Sequence, residues 1–126
     1  MGGMQIKEFY DLMAWKKSHE LVIEIYKITK TFPDDERFGL TSQIRRSASS
    51  ITANLAEGYG RFHFKDKIRF YYMARGSNTE TQNHLILAKD LVYLSENIFF
   101  NLMNKLVESN KLINGLIRGV ENTANK

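Results

Sequence analysis

Apolar residues recur at intervals of three and four positions in four separate stretches of the chain, which is the spacing of a helix with one buried face. The pattern predicts helices over residues 11–32, 41–59, 64–94 and 96–122. Because the connections between these segments are short, consecutive helices should be antiparallel neighbours. The sequence therefore predicts an all-α protein, an antiparallel up-down-up-down four-helix bundle made of a single domain.

Residues with known preferences at helix ends mark several of these boundaries. Asp11 and Ser95 are predicted to cap the first and fourth helices, since their side-chain oxygens can accept from free first-turn amides. Pro33 should stop the first helix because it lacks an amide hydrogen and disfavours helical geometry in the preceding residue. Gly58 and Gly60 are expected to end the second helix where the chain turns left-handed.

The composition is that of an ordinary globular domain. The 126 residues are 43% hydrophobic and 25% charged, and the chain is long enough to bury a core. The absence of cysteine excludes disulfides and thiolate ligands and fits a cytoplasmic protein. No apolar run approaches the roughly 18 residues of a membrane span, so no membrane association is expected. Residues 1–8 are predicted to be an N-terminal tail, with the native start at Met4.

The segment from Gln43 to Gly58, QIRRSASSITANLAEG, combines an apolar stripe with very small residues and with polar groups beside the stripe. The small side chains would let a second backbone come close, and Gly76 and Ser77 form a matching stretch of small residues on the third helix. Tight packing inside the bundle is the simpler interpretation, because protein interiors are closely filled. A contact between subunits is the alternative.

Polar residues stand three positions apart on both the second and the third helix. They are Asn54, Glu57, Ser77 and Glu80. Antiparallel packing could bring the two pairs together, and buried polar groups are normally hydrogen-bonded, so a structural polar network is the favoured interpretation. A catalytic or metal-binding pair of acids, formed by Glu57 and Glu80, is the alternative.

Signatures of enzymes and of metal sites are missing. Bundles that bind two metal ions repeat Glu-x-x-His, whereas Glu80 and His84 are four residues apart and no second motif occurs. The chain also lacks GxxxxGKS/T, GxSxG and HExxH segments. We therefore expect a protein that is not an enzyme and has no catalytic residue, metal or cofactor.

The positive charge is concentrated in one part of the sequence. The net charge is +4, and residues 59–75 contain five basic residues and one acid, so this segment carries the whole surplus. It also contains six aromatic residues, and interleaved cations and aromatic rings are typical of surfaces that pair with phosphates and stack on bases. The alternative is that the aromatic residues belong to the core and the cations to a solvated face.

This distribution predicts a basic surface that binds RNA or DNA. The residues predicted to contact phosphates are Arg45, Arg46, Arg61, Lys65, Lys67, Arg69 and Arg75. The alternative function is a protein-interaction scaffold whose basic surface meets an acidic protein partner.

Three stretches of the sequence resemble a known family: FYDLMAWKKSHELVIEIYKITKTFP, FGLTSQIRRSASSITANLAEGYGR and FYYMARGSNTE. They are similar to small bacterial four-helix bundle proteins related to the 23S rRNA intervening-sequence protein, also labelled S23 ribosomal protein. The resemblance runs from about Phe9 to Leu94, with a looser fourth helix. The family pattern usually has a small residue such as alanine where this chain has Ser47, and proline where it has Thr52.

The resemblance implies a homo-oligomeric ring of bundles, a pentamer, that binds nucleic acid. A related accessory protein of diversity-generating retroelements partners a reverse transcriptase, which is the protein partner that the resemblance suggests. Many members of the family have no established biochemical role. The ribosomal label mostly records that some of the genes lie inside rRNA intervening sequences.

Overall fold

The computed structural model describes residues 5–124, which form four α-helices. They are α1 (Met13–Thr29), α2 (Leu40–Gly60), α3 (Phe64–Asp90) and α4 (Glu96–Ala124). Each helix packs against the next one in the chain and α1 also packs against α4, whereas α1 and α3 lie diagonally and do not pack together. This confirms the antiparallel four-helix bundle. The expected start at Met4 lies outside the described residues.

The interior contains aliphatic side chains from all four helices. The stripe of Ile44, Ala48, Ile51 and Leu55 on α2 is completely buried, as its spacing predicts. Leu21 and Ile25 of α1, Leu85 of α3 and Leu106 and Ile113 of α4 are buried to the same extent. A continuous core of this kind holds the four helices in one unit.

Small polar residues interrupt this apolar core and are paired across helices. The Ser18 hydroxyl of α1 lies 2.7 Å from that of Ser109 in α4. Asn78 of α3 is fully buried and its side-chain amide donates to the backbone carbonyl of Leu106 at 2.9 Å. These residues occupy the helical spacing of the core stripes, but their polar side chains do not mark them as core positions in the sequence.

The start of α1 differs from the prediction. Asp11 does not cap this helix, because its carboxylate accepts at 3.1 Å from the amides of Lys7 and Glu8, which precede it. These bonds lower the pKa of Asp11 below its ordinary value. Residues Phe9–Asp11 form a separate 3-10 turn, and α1 begins after Leu12 with no side-chain cap.

The end of α1 comes three residues earlier than predicted. After Thr29 the backbone amides of Lys30, Thr31 and Phe32 bond to carbonyls at shorter spacing, which tightens the last turn. Pro33 therefore does not end the α-helix itself. It precedes a second 3-10 turn at Asp34–Glu36.

The third helix also ends early, at Asp90 rather than near Leu94. The Tyr93 amide donates to the Ala88 carbonyl and the Val92 amide donates to that of Lys89, both at 2.9 Å. These two bonds form a Schellman motif, which needs a left-handed residue after the helix. Val92 occupies that position with φ of 62°. Glycine usually marks such an end, so the sequence contained no signal for it.

Ser95 caps α4 as predicted. Its hydroxyl accepts from the backbone amide of Ile98 at 3.2 Å. This bond satisfies one of the amides that the first turn of a helix leaves without an intrahelical partner.

Gly58 is required by close packing and not by a left-handed turn. Neither Gly58 nor Gly60 has a positive φ, which corrects the expectation for both. A Cβ atom on Gly58 would lie 2.7 Å from a ring carbon of Tyr71 and 3.1 Å from the Cβ of Phe70. The absence of a side chain at Gly58 therefore lets α3 approach α2 closely.

Hydroxyl pairs continue this close contact along the two helices. The Thr81 hydroxyl donates to that of Ser47 at 2.8 Å, and the Ser77 hydroxyl donates to that of Ser50 at 2.9 Å. The run of small residues on α2 thus packs inside the bundle, which was the simpler of the two interpretations. Gly76 differs, since a Cβ atom there would meet nothing within 4 Å.

Replacing Gly58 with alanine should destabilise the fold by about 1–2 kcal/mol, because overpacking against Tyr71 outweighs the higher helix propensity of alanine. Urea denaturation followed by circular dichroism measures the change. Gly60→Ala is the matched control, since a Cβ atom there meets nothing within 4 Å. It should change the stability by less than about 0.5 kcal/mol. Equal effects of the two substitutions would contradict the packing role of Gly58.

Candidate nucleic-acid interface

Six of the seven basic residues predicted to contact phosphates lie toward the two ends of the bundle. Arg45 and Arg46 are near the start of α2, whereas Arg61 directly follows its last residue. The rise of 1.5 Å per residue separates Arg46 from Arg61 by about 22 Å along the helix. Lys65, Lys67 and Arg69 lie at the Arg61 end, in the first turns of α3, and Arg75 lies further along that helix. The seven residues therefore do not form one continuous patch.

Most cations of the basic segment lie over aromatic rings of the same segment. The guanidinium groups of Arg61 and Arg69 are 4.8 and 5.0 Å from the ring centroid of Phe70. Lys67 lies 5.3 Å from the centroid of Tyr59. Such contacts are attractive because the face of an aromatic ring is electron-rich. Interleaved cations and aromatic residues in this sequence thus reflect contacts within the subunit.

Burial separates the aromatic residues of the segment into two groups. Tyr71 belongs to the core, and its burial raises the pKa of the phenol to about 12. Phe62, by contrast, is almost fully exposed, and Phe64 and Tyr72 are partly exposed. The alternative that assigns these aromatic residues to the core holds for Tyr71 and fails for Phe62.

Lys67 and Arg75 make contacts that hold the helices together. The Lys67 ammonium donates to the backbone carbonyls of Tyr59 at 2.7 Å and Gly58 at 3.4 Å, where it caps the end of α2. Partial burial lowers the pKa of Lys67. Arg75 donates to the side-chain oxygen of Asn114 at 3.0 Å and so connects α3 to α4. Both residues thus have structural roles.

Lys65 and Arg69 are the basic residues at this end whose positive charge is least neutralised within the subunit. Both are exposed and lie four residues apart, so they share the outer face of α3. Neither forms an ion pair within residues 5–124, whereas Arg61 pairs with Glu57 at 3.2 Å. The positive charge available to an external anion is therefore centred on Lys65 and Arg69.

Arg45 and Arg46 are anchored differently at the other end. Arg45 donates to the Thr29 hydroxyl at 2.8 Å and to the Tyr26 carbonyl at 3.2 Å, so it binds the end of α1. Arg46 is two residues after Ile44, about 200° around the helix from the buried stripe, so its side chain points outward. It forms an ion pair with Glu80 of α3.

The predicted polar network is only partly assembled. The Asn54 amide donates to the Ser50 hydroxyl at 3.0 Å, which in turn accepts from Ser77, so these residues connect α2 and α3. Glu57 and Glu80 are not members of this network, since both lie toward solvent and pair with arginines. Ion pairing at the surface avoids the cost of burying a carboxylate.

The two glutamates are also too far apart to act as a pair. Glu80 lies level with Arg46, to which it binds, and Glu57 is eleven residues further along α2, about 16 Å. Within residues 5–124 no group of three or more potential metal ligands is close enough to hold an ion. The geometry gives no support to the alternative of a catalytic or metal-binding acid pair.

Two residues outside the set predicted from the sequence lie beside Arg45 and Arg46. Arg37 and Phe38, in the connection between α1 and α2, line the same cleft as these arginines. The signal for them is an adjacent basic and aromatic residue in a predicted loop, outside the apolar stripes. Arg37 follows three acidic residues, so this second basic site adds nothing to the charge surplus of the sequence.

A family model described as 23S rRNA-intervening sequence protein matches residues 10–115. The chain belongs to this family. The match extends the resemblance seen in the sequence, which ended near Leu94, well into α4. No curated protein matches the chain significantly.

A solved structure of the S23 ribosomal protein family has the same fold. It is the crystal structure, at 1.70 Å resolution, of a protein of unknown function from Bacteroides thetaiotaomicron VPI-5482. The TM-score is 0.78 at 27% sequence identity, and the alignment covers 83% of this chain and 95% of that one. The family and the fold are thus established. In the described part of the chain, no helix has the length and hydropathy needed to cross a membrane.

Glu36 holds the connection that carries Arg37 and Phe38. Its carboxylate accepts from the Leu40 amide at 3.0 Å and from the Tyr93 hydroxyl at 2.7 Å, so it joins both loops at this end of the bundle. These two bonds lower the pKa of Glu36 from its ordinary value of 4.5. Hydrogen bonds that favour the ionised form of a carboxyl have this effect.

Because the pKa of Glu36 is lower in the folded state, its carboxylate stabilises the fold above about pH 4.5, and this stabilisation is lost as the pH falls through the folded-state pKa. Glu36→Gln should therefore be less stable than the unmodified protein at about pH 7, and the difference should shrink at about pH 3. Thermal unfolding at both pH values measures it. Asp35→Asn, in the same turn, is the control. A difference independent of pH would contradict this role of Glu36.

Proposed function

We propose that this family member is a non-enzymatic, homo-oligomeric bundle that binds RNA or DNA through a basic surface. The observation that carries the proposal is the exposed pair Lys65 and Arg69, which has no acidic partner within residues 5–124. Cations of this kind gain most from a polyanion, because the polyanion releases its condensed counterions on binding. The absence of cysteine supports a cytoplasmic location.

The outer face of α3 supports the proposed assembly of subunits. Met73, Ile86 and Leu87 are exposed apolar residues on this face, and Gly76 lies among them. A glycine inside a helix costs about 1 kcal/mol relative to alanine. No contact among residues 5–124 requires Gly76, whereas a neighbouring helix could use the space above it. The proposed oligomer is the pentamer that the family resemblance implies.

Assembly would strengthen a weak contact between each subunit and the nucleic acid. Two cations per subunit supply little affinity alone, but several subunits on one strand act as linked binding sites. Lys65 and Arg69 precede Gly76 on α3 by eleven and seven residues, about 16 and 10 Å along the helix, so a subunit contact around Gly76 would leave the pair open where α3 begins. The repeated pair then forms a basic belt at that end of the assembly.

Changing Lys65 and Arg69 to glutamate should weaken binding to both RNA and DNA. The slope of log affinity against log salt should decrease by about two for each engaged subunit, since two phosphate contacts are lost. An electrophoretic mobility shift assay at several salt concentrations measures this effect.

Lys17→Glu with Lys27→Glu is the matched control, because it makes the same charge change on α1, which does not pack against α3. The control should retain nearly all of the affinity. Equal loss in both double variants would indicate only a response to net charge. Purification free of nucleic acid, together with no binding in the assay, would favour the acidic protein partner instead.

Size-exclusion chromatography with light scattering tests the proposed assembly. The unmodified protein should have about five times the 14.6 kDa mass of the chain. Gly76→Arg should reduce this mass to that of one subunit without unfolding it. Gly119→Arg on α4 is the control, since its Cβ position is equally open. A single-subunit mass for the unmodified protein, or a Gly76→Arg variant that keeps the full mass, would contradict the proposal.

A further inference from the structure

A cleft of about 450 Å³ lies where the end of α1 meets the start of α2. Its walls are formed by Tyr26 of α1, by Arg37 and Phe38 of the connection, and by Thr41, Ser42, Arg45 and Arg46 of α2. None of the described residues that line the cleft is acidic. Its volume suits a small organic ligand, at the lower end of the range of ligand pockets.

The arginines of the cleft retain hydrogen-bond donors for a ligand. A guanidinium has five N–H donors. Arg45 uses its Nε and one donor of Nη2 on α1, which leaves its Nη1 amino group unused. Arg46 uses Nε and Nη2 on Gln43 and Glu80, which again leaves Nη1. The Arg37 side chain forms no hydrogen bond or ion pair within the described chain.

The charged side chains that line the cleft are all arginines. Glu80 offsets Arg46, but no acid among residues 5–124 pairs with Arg37 or with Arg45. Arg45 is also fixed in place, since its guanidinium lies 4.8 Å from the ring centroid of Tyr26 while it bonds to the end of α1. Anchored arginines with free donors are well suited to bind a phosphate, because the guanidinium geometry matches its oxygens.

Phe38 adds an exposed aromatic ring to the same cleft. Its side chain is 89% exposed, although phenylalanine is normally among the buried residues. The Arg37 guanidinium lies 5.4 Å from its ring centroid, so the ring is held beside a cation. An exposed ring next to arginines can stack on a base while the arginines bind the adjoining phosphate.

We propose that this cleft binds one unpaired nucleotide of a single strand, with its phosphate on Arg37, Arg45 and Arg46 and its base stacked on Phe38. The base must be unpaired, because stacking within a duplex hides the faces of its bases. The inference rests on the nucleic-acid binding proposed above. It adds a second site, at the opposite end of the bundle from Lys65 and Arg69, that selects single strands.

Phe38→Ala tests the proposal, with fluorescence anisotropy on labelled oligothymidylate, on oligouridylate and on a duplex of equal length. The variant should bind the single strands about tenfold more weakly and the duplex equally well. Phe100→Ala is the matched control, because Phe100 is 56% exposed on α4 and no cation of the described residues lies over its ring. It should bind like the unmodified protein. Circular dichroism verifies that both variants fold.

Ultraviolet crosslinking to oligouridylate gives an independent measurement of the site. Trypsin cleaves after Arg37 and after Arg45, so Phe38 lies in the peptide of residues 38–45. This peptide should carry the crosslinked nucleotide in the unmodified protein and lose it in Phe38→Ala.

The outcomes separate the two proposals. If the unmodified protein binds nucleic acid while Phe38→Ala binds single strands equally well, or the crosslink lies elsewhere, the cleft assignment is wrong and the general binding function stands. If the unmodified protein binds neither single strands nor duplex, the proposed function fails and the cleft assignment fails with it. Weaker binding of single strands by Phe38→Ala, with the crosslink in residues 38–45, supports both.

Discussion

The close approach of α2 and α3 is the constraint on which the rest of this structure depends. Tyr71 leaves no room for a side chain at position 58, which is glycine. Pairs of hydroxyl groups take the place of larger residues along the rest of the shared surface. These contacts fix how the two antiparallel helices are aligned. The alignment then places Glu80 beside Arg46 and the ring of Phe70 beside Arg61. The charged surface is thus determined by packing in the interior, because a small-residue contact tolerates no sliding.

The fold uses several of its cations for its own stability, and this changes how a basic sequence should be interpreted. Lys67 caps α2, Arg45 binds the end of α1, and Arg75 connects α3 to α4. Carbonyl oxygens at helix ends attract cations because the helix dipole is negative there. A count of basic residues therefore overstates the charge that a ligand meets. Donors that remain unused, as on Arg37, are better evidence for a binding surface.

The bundle topology gives its two ends different chemistry. At one end, the first turns of α3 present Lys65 and Arg69 on a convex helix face, where the backbone of a strand or duplex can approach. At the other end, the connection between α1 and α2, which Glu36 joins to Tyr93, forms one wall of a concave cleft with an exposed aromatic ring. A convex cationic face favours phosphates alone, whereas a concave site can also enclose a base. The two surfaces would therefore contribute affinity and strand selection separately.

Local patterning in the sequence determined the four helices, their antiparallel order, the α2 core stripe and the Ser95 cap, because these follow from helical spacing and short connections. The family was also recognisable from the sequence. Only the tertiary structure decided which polar groups meet. It showed Glu57 and Glu80 apart, Val92 ending α3, and Arg37 with Phe38 beside Arg45. Such contacts depend on helix alignment and loop geometry, which residues distant in the sequence fix together.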